Sequence, residues 1–486
     1  MKILKGKRLF QSEMDLTSGN LLTNIWLYTL PLLLTSLLQL LYTSADLVVV
    51  ANFGGGRESM SAVGANGSLI NLIVTFFLGL SVGLNVVLAN AKGAKDKEKA
   101  SKCLHSGMLL SVIGGVIVGV FGFFAARSLL EIMHTPVEYI DRSEIYLKWY
   151  FAAIPFVMIF NFGSAALRAM GDSKRPFYSL LGCGLLNVIL NLLLVIVFHL
   201  DVKGVAIATF ISEGVEAGLI VLFLVLNKKG FVCLSFKEIR FNREETFEML
   251  RIGIPAGFQS LVFSISNVAI QAEANSFGAN VINGNTASNN IEGYLYALLN
   301  SFSVAVTAVV AQNFGAGKKE NIRKTFKIAI FSVVALGLVV GGILALLRKP
   351  LLDIFLLGGG AGEQSAESYA ESFKTGSERC LLMCLTYFTC GVMDSCSAYL
   401  LGLKYSILPT LVSFVGACLL RLAFIFIVFR NFPYFHTVLW LYASYPLTWL
   451  TTDIIYFLII PHFEKRAFSK IKEEEPVKIE AIPLPH

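Results

Sequence analysis

Residues 177–199 read FYSLLGCGLLNVILNLLLVIVFH, a run of 23 residues without one Asp, Glu, Lys or Arg. A helix needs about 20 predominantly apolar residues to cross the hydrocarbon core of a bilayer. Within that core every backbone N–H and C=O must be bonded inside the segment itself, and a helix satisfies this condition. The run therefore predicts a membrane-spanning helix.

Eleven further apolar runs of spanning length occur along the chain. The composition agrees with them, since 55% of the 486 residues are hydrophobic and only 15% are charged, against roughly 25% charged residues in soluble domains. We therefore expect an all-α membrane protein with twelve transmembrane helices. The predicted spans are residues 22–50, 61–88, 103–126, 143–166, 177–199, 204–227, 246–275, 287–312, 325–347, 378–400, 407–429 and 437–460, with a long loop predicted at 356–377.

Basic residues are concentrated in every second connection between the spans. Of the 40 Lys and Arg residues, 29 lie in one set of connections together with the termini, 10 lie in the opposite set, and Arg421 lies within a span. Cytoplasmic loops carry the excess of Lys and Arg, so both termini are predicted to be cytoplasmic. This topology explains the net charge of +7, and we expect no nucleic-acid partner.

The two halves of the chain match each other in order. Six spans per half is an even number, so both halves enter the membrane in the same sense and form a parallel repeat. This predicts two parallel six-helix lobes around a central cavity. The matched pairs are Pro31 with Pro255 and Asn66 with Asn290 at an offset of 224, Glu98 with Glu320 at 222, and Pro176 with Pro409 at 233.

The repeat also divides the chain into predicted domains. The N-lobe is predicted at residues 21–227 and the C-lobe at 243–462. A cytoplasmic segment at 1–20 precedes them, a cytoplasmic linker at 228–242 joins them, and a disordered cytoplasmic tail at 463–486 follows.

Ionisable side chains within apolar spans are the first candidates for a functional site, because placing them in a bilayer is costly. Asp46 leads them, since burial removes the water that stabilises a charged carboxylate and the group then readily exchanges a proton. The candidates are Asp46, Glu213, Glu216, Glu273, Asp394, Arg421 and Asp453.

The Cys and His residues show no metal-binding pattern. None of the eight cysteines forms a CxxC pair, and the six histidines have no metal-ligand spacing. We therefore predict no cofactor and no metal cluster built from Cys and His. HExxH is absent, and the one GxSxG, residues 79–83, lies in mid-helix without the strand–turn–helix context that exposes a nucleophile. We expect no enzyme.

Several motifs together carry a family resemblance. They are ADLVVVANFG at residues 45–54, GLSVG at 79–83, LRAMGD at 167–172 with Pro176, and QNFGAG at 312–317. In this order the chain resembles the multidrug and toxic compound extrusion (MATE) family over roughly residues 20–460. The resemblance implies secondary active antiport by alternating access: multidrug efflux of cationic amphipathic organic compounds in exchange for protons or sodium. We expect a multi-pass protein of the bacterial inner membrane, surrounded by lipids, and a monomer, since the duplicated halves let one chain form a complete path.

The resemblance also implies a cation-coupling site in the first lobe. Asp46 matches an acid of the family, and its predicted neighbours are Tyr146, Asn187, Asn191 and Thr209. Asn187 and Asn191 are four residues apart and share one helix face, although interhelical hydrogen bonding alone also accounts for them. Some members have an acid where this chain has Asn191, which weakens the case for sodium at Asp46. No other metal is expected.

The C-lobe candidates are Asp394, Gln259 and Arg421. Asp394 is interpreted as a second cation site, as part of the substrate surface, or as a packing acid paired with Arg421. Gln259 lies in the seventh span, where some members of the family have an acid. The repeat-related Pro31 and Pro255 each remove a backbone donor, so they are interpreted as hinges or as static kinks.

Two alternative functions remain from the sequence. One is a flippase for a lipid-linked saccharide, which needs a strongly cationic cavity, whereas Arg421 is the one clear base predicted in mid-span. The other is an exporter of a specific metabolite.

Overall fold

The computed structural model is helical throughout its regular secondary structure, and it describes residues 13–53, 57–133, 135–358 and 365–471. Within those residues, twelve segments are long and apolar enough to cross a membrane, so the predicted number of spans is confirmed. Residues 1–12 of the predicted N-terminal segment and residues 472–486 of the predicted tail lie outside the described residues.

The N-lobe consists of the first six spans. The long helix α4 lies at its centre and packs against α2, α3 and α6, while α1 packs against α5. Its helices are α1 (Leu21–Phe53), α2 (Arg57–Gly93), α3 (Lys97–Ile132), α4 (Val137–Ala169), α5 (Lys174–Leu192), which continues into a π-helical turn (Leu193–Val197), and α6 (Asp201–Val225).

The C-lobe repeats this arrangement, with α11 at its centre against α8, α9 and α14. A short 3₁₀ turn (Phe236–Glu238) precedes it in the linker. Its helices are α7 (Arg243–Asn275), α8 (Ala279–Gly315), α9 (Lys319–Leu346), α10 (Arg348–Gly358), α11 (Ala366–Gly402), α12 (Ile407–Ser413), α13 (Leu420–Ala423) and α14 (Val438–Phe468). The π-helical segment Phe414–Leu419 joins α12 to α13, and a second one, Phe424–Phe429, follows α13 and completes the eleventh span.

Two predicted boundaries in the C-lobe differ from the structure. The segment predicted as a loop up to residue 377 is largely helical, because α11 already begins at Ala366. Arg379, which is the second residue of the predicted span 378–400, therefore lies well inside a long helix. The predicted tail also begins too early, since α14 continues to Phe468.

The connecting turns show the internal repeat independently of sequence identity. Lys95 and Gly317 have φ values of 57° and 73°, and Gly171 and Lys404 have 77° and 66°. These pairs have the same offsets, 222 and 233, as the sequence matches. The left-handed region is unfavourable for residues with a Cβ, so its recurrence at both pairs indicates that the two halves turn in the same way.

The hydrogen bonds of these turns repeat as well. Lys95 N–H donates to the Lys92 carbonyl and Asp96 N–H to the Ala91 carbonyl. Gly317 and Lys318 donate to the carbonyls of Phe314 and Asn313 in the same pattern. The two lobes are therefore copies of one helical unit, which agrees with a parallel repeat.

The predicted hinge prolines both lie inside continuous helices. In α1 the Pro31 carbonyl accepts a hydrogen bond from Thr35 of the same helix at 2.8 Å. In α7 the Pro255 carbonyl accepts from Thr410 of α12 at 3.0 Å. One proline is therefore bonded within its own helix and the other across to a neighbour, and their function as hinges stays a prediction.

The lobes meet most closely on the face that carries the interlobe linker, called here the linker face. Gln312 of α8 donates to the Ala169 carbonyl of α4 at 2.6 Å. Glu248 of α7 forms salt bridges with Lys99 of α3 at 2.8 Å and with Lys404 at 2.7 Å. These contacts join the N-lobe to the C-lobe and close this face.

Glycines permit the close crossing of α2 and α7. A Cβ at Gly83 would lie 2.1 Å from the Met249 carbonyl oxygen, and one at Gly253 would lie 2.5 Å from the Leu80 carbonyl oxygen. Small residues let membrane helices approach at backbone distance. The crossing therefore depends on residues without side chains on both helices.

The substitution Gly83→Ala is expected to separate α2 from α7. Overpacking of a tight contact costs about 1–3 kcal/mol, so the thermal unfolding temperature of the purified protein should fall. Gly67→Ala on the same helix is the matched control, because a Cβ there has no atom within 4 Å. Equal melting temperatures for the two variants would contradict the proposed importance of the crossing.

Candidate functional site

A glycine contact sets the register of α1 on α5. The ring of Tyr42 covers Gly184, where a Cβ would lie 1.8 Å from a ring carbon, and the Tyr42 hydroxyl donates to the Leu181 carbonyl at 3.2 Å. Both helices run in the same direction across the membrane. Asp46 lies one helical turn beyond Tyr42, and Asn187 lies one turn beyond Gly184. The contact therefore brings the acid beside the amides.

Asp46 is bound by an amide. Asn191 Nδ2 donates to Asp46 Oδ1 at 2.6 Å and to Asn187 Oδ1 at 3.0 Å. Asn191 is wholly buried, and its own Oδ1 has no hydrogen-bond partner among the described residues. One chain of hydrogen bonds thus joins three of the predicted site residues, Asp46, Asn187 and Asn191. The Asn191 side-chain oxygen remains as an acceptor without a described donor.

Two further groups lie within electrostatic range of Asp46. One is the buried Tyr146 of α4, a predicted neighbour. The other is Glu213 of α6, which interacts unfavourably with Asp46. Thr209, also predicted here, lies one turn before Glu213, and its hydroxyl donates to the Val205 carbonyl at 3.0 Å. The structure thus places a second acid in the predicted neighbourhood.

Glu216 extends this acidic group towards the linker face. It interacts electrostatically with Glu213, it is 5% exposed, and its Oε1 has no hydrogen-bond partner in the described structure. Asp46, Glu213 and Glu216 therefore form a series of acids in which each interacts with the next. No salt bridge to any of the three was found within the described ranges, although three adjacent buried acids are costly when all are charged.

The C-lobe contains a different polar centre around Gln259. Gln259 Nε2 donates to Ser413 Oγ at 3.0 Å and to Ser397 Oγ at 3.2 Å. Ser413 in turn bonds the Tyr456 hydroxyl at 2.9 Å, and that hydroxyl donates to the Pro409 carbonyl at 3.0 Å. This network is neutral and joins α7, α11, α12 and α14.

Asp394 and Arg421 do not pair with each other. Asp394 lies near the Asn300 amide and interacts electrostatically with Asp453. Arg421 donates to Thr448 Oγ1 at 3.0 and 3.2 Å and lies 4.2 Å from the Tyr445 ring centre. Between the described residues no salt bridge joins Asp394 to Arg421, so the interpretation of Asp394 as a packing acid paired with that base is wrong.

An ion pair that the sequence analysis missed lies between α8 and α11. Arg379 Nε and Nη2 each donate to one oxygen of Glu292 at 2.8 Å, and Nη1 donates to Asn285 at 2.6 Å. Glu292 also accepts from Ser288 at 2.8 Å. Both charged side chains are buried. Arg421 is therefore not the sole base in mid-span, although Arg379 is neutralised by its partner.

Positions that correspond in the two lobes carry different kinds of side chain at these polar centres. At the offsets of the sequence matches, Asp46 corresponds to Ile270, and Asn187 and Asn191 correspond to Leu420 and Phe424. Conversely, Arg379 corresponds to Tyr146 and Glu292 to Ser68. The lobes share a fold but place their ionisable groups at different positions, and a buried ion pair is described in the C-lobe but not at the corresponding N-lobe positions, Tyr146 and Ser68.

Over the part of the chain that the structure describes, no group of three or more His, Cys, Asp or Glu is arranged to hold a metal ion. The oxygens available to a cation at the N-lobe site come from Asp46 and the two amides.

Comparisons with known proteins identify the family. The sequence profile of MatE matches residues 31–193 and 255–427, one segment in each half. The chain belongs to the MatE family. The motif resemblance to MATE transporters is thereby confirmed, and this family consists of membrane transporters rather than enzymes.

Individual relatives agree with this family. The chain is 30% identical to the probable multidrug resistance protein YpnP of Bacillus subtilis (strain 168) over 309 residues, 63% of this chain and 68% of that protein. A crystal structure of a MATE protein in complex with MaL6 has a TM-score of 0.84 at 21% identity, covering 94% of this chain and 99% of that one. A multidrug resistance MATE family transporter in an outward-facing conformation has a TM-score of 0.81 at 21% identity, covering 98% and 100%. The structural neighbours confirm the two-lobe all-α fold.

Removing one partner of the Arg379–Glu292 pair is expected to destabilise the C-lobe. Glu292→Gln leaves the guanidinium buried without its counter-charge, which costs about 3–5 kcal/mol. The double variant Glu292→Leu with Arg379→Met should recover most of that loss, because no charge remains buried. Thermal unfolding of the single and double variants measures the difference, and a double variant less stable than the single one would contradict the pairing.

Proposed function

We propose that this protein is a secondary active antiporter that exports cationic amphipathic organic compounds in exchange for protons or sodium. Its membership of the MatE family supports transport. The printed names of relatives, a multidrug resistance protein and a multidrug resistance transporter, support organic drugs and toxins as substrates. Twelve apolar helices and the bacterial relatives support a bacterial membrane as its location.

The observation that carries the proposal is the environment of Asp46. Its one described hydrogen-bond donor is the Asn191 amide at 2.6 Å, and no salt bridge to it occurs within the described structure. An arriving proton or sodium ion therefore competes with an amide rather than with a bound guanidinium or ammonium group. Glu213 increases the local negative charge, so the first cation is favoured on electrostatic grounds.

Cation binding at Asp46 changes the contact between α1 and α5. A protonated Asp46 is a weaker acceptor for Asn191 than a carboxylate, because hydrogen bonds to ionised groups are the stronger ones. A cation shifts a conformational equilibrium only by its different affinity for the two states. In our proposal the protonated site weakens the α1–α5 contact, and this favours release of the organic cation.

We further propose that the linker face is the cytoplasmic face. The excess of Lys and Arg in the connections on this side supports that orientation. The contacts of Gln312 and Glu248 close this face. In the proposed cycle this conformation faces outward, and opening of the linker face admits the substrate from the cytoplasm.

A lipid-linked saccharide or an anionic metabolite is the second candidate substrate. The observation in its favour is Arg421, which is buried and bonded to Thr448 rather than to an acid among the described residues. One such guanidinium gives less positive charge than the series Asp46, Glu213 and Glu216 gives negative charge, so organic cations remain the leading proposal.

Asp46→Asn is expected to abolish coupled efflux. The amide is close in size to the carboxylate but binds no proton, so ethidium efflux from right-side-out vesicles should fall to the empty-vector level and lose its ion dependence. Glu138→Gln is the matched control, because Glu138 is an exposed acid at the start of α4 in the same lobe. Full ion-dependent efflux by Asp46→Asn would contradict the proposed site.

Asn191→Asp tests which ion is coupled. The change adds a carboxylate beside Asp46, and hard cations prefer sites with several oxygen ligands. If protons drive the wild-type protein, the variant should gain sodium-stimulated efflux, measured with the proton and sodium gradients collapsed separately. Wild-type efflux that survives collapse of both gradients would refute antiport with either ion.

A further inference from the structure

The residues directly before α1 bridge the two lobes. This segment, Glu13–Thr17, is called here the strap. Met14 N–H donates to the Gly171 carbonyl of the N-lobe at 3.1 Å. In the C-lobe, Asn313 donates to the Leu16 carbonyl at 3.0 Å and Lys318 donates to the Thr17 carbonyl at 2.8 Å. The strap therefore crosses the closed linker face.

At Gly171 the backbone of the strap packs directly against the backbone of the N-lobe. A Cβ at Gly171 would lie 2.2 Å from the Met14 carbonyl oxygen. Its repeat counterpart Lys404 adopts the same left-handed conformation with φ of 66°, so this turn tolerates a side chain where no strap packs on it. The glycine in the first lobe is therefore explained by the strap and not by the turn alone.

The Glu13 carboxylate occupies a socket of N–H groups. Asn227 Nδ2 donates to Glu13 Oε1 at 2.7 Å, and the Phe231 backbone N–H donates to Oε2 at 3.1 Å. Lys92 Nζ lies 3.7 Å from Oε2. Arg175 orients the socket, since its Nη2 donates to Asn227 Oδ1 at 2.9 Å. Such a convergence of N–H groups and ammonium charge suits any anion.

The socket opens into a cavity of about 500 Å³ with an excess of positive charge. Four bases and one acid line it. Arg175 is neutralised by Asp172 and Lys92 faces Glu13, whereas Lys97 and Lys229 are exposed and form no salt bridge with any described residue. The lining residues are Glu13, Lys92, Lys97, Arg175, Asn227, Lys229, Gly230 and Phe231. The charge of Glu13 therefore does not neutralise the cavity, because Lys97 and Lys229 remain without an acidic partner among the described residues.

We propose that this cavity is a binding site for a phosphate-bearing anion and that Glu13 is its internal competitor. A phosphate offers three acceptor oxygens to the Asn227 amide, the Phe231 N–H and the lysines. Two sources supply this chemistry, the headgroup of an anionic phospholipid and a soluble phosphate ester. Basic pockets at the cytoplasmic ends of membrane helices are suited to the former.

Binding at this site releases the strap. When phosphate takes the place of the Glu13 carboxylate, Glu13 loses its N–H partners, and the strap is held by fewer contacts on the N-lobe. The closed linker face is then less stabilised, which favours its opening. This effect on transport depends on the proposed alternating access, whereas the binding itself does not.

The test is anion binding to the purified full-length chain. Titration calorimetry with glycerol 3-phosphate examines the soluble ester, and nanodiscs of phosphatidylglycerol against phosphatidylcholine examine the lipid. Glu13→Gln is expected to bind about tenfold more tightly, because the competing charged hydrogen bonds are lost. The double variant Lys97→Gln with Lys229→Gln should bind about tenfold more weakly.

Release of the strap is measured by hydrogen exchange at the Met14 amide, which should accelerate when phosphate binds. Glu98→Gln and Lys95→Gln are matched controls, since both residues are exposed on the same face but do not line the cavity. Binding of glycerol 3-phosphate alone identifies a soluble ester as the ligand, and binding of phosphatidylglycerol nanodiscs alone identifies the lipid headgroup. The proposal is overturned if neither glycerol 3-phosphate nor phosphatidylglycerol binds, or if wild type and Glu13→Gln bind with equal affinity. Asp46→Asn should bind phosphate normally, which separates this result from failure of the transport mechanism.

Discussion

The hydrogen bond from Asn191 to Asp46 is the interaction on which the proposed mechanism depends. A carboxylate in an apolar helix has little water to stabilise its charge, so its partner must come from the protein. The chain supplies a neutral amide, 2.6 Å away, rather than a base. A base would hold the charged form permanently, whereas an amide leaves the acid free to take up and release a cation. The glycine contact between Tyr42 and Gly184 places the two side chains in this register.

Duplication explains the frame of the molecule, but not the chemistry inside it. The turns at Lys95 and Gly317 and at Gly171 and Lys404 have the same backbone conformation in both halves. The ionisable groups have diverged: interacting acids occur in both lobes, at different positions, and the Arg379–Glu292 ion pair lies in the C-lobe. The Arg379–Glu292 pair carries no net charge. In the proposed mechanism the cation-responsive site is therefore the Asp46 site of the N-lobe.

The sequence predicts the spans well because a bilayer imposes a minimum apolar length on each helix. Local patterns also single out Asp46, an acid in an apolar run, and the two amides Asn187 and Asn191 one turn apart, while their grouping into one site came from the family resemblance. The approach of Glu213 to Asp46 depends on how α6 is rotated against α1, and no local pattern encodes that rotation. Arg379 was missed because it is the second residue of the predicted span 378–400, where a base is typical of a helix end, whereas α11 already begins at Ala366. The Glu13 socket joins residues more than 200 positions apart along the sequence.

Proton release on substrate binding tests the central claim most directly. Purified protein in weakly buffered solution with a pH indicator is mixed with an organic cation such as ethidium, near the pH at which efflux is half-maximal. If a proton at Asp46 and the substrate exclude each other, the wild type releases protons on binding and Asp46→Asn releases none, while Glu138→Gln behaves as the wild type. Substrate-induced proton release that is measurable and equal in wild type and Asp46→Asn would contradict the account.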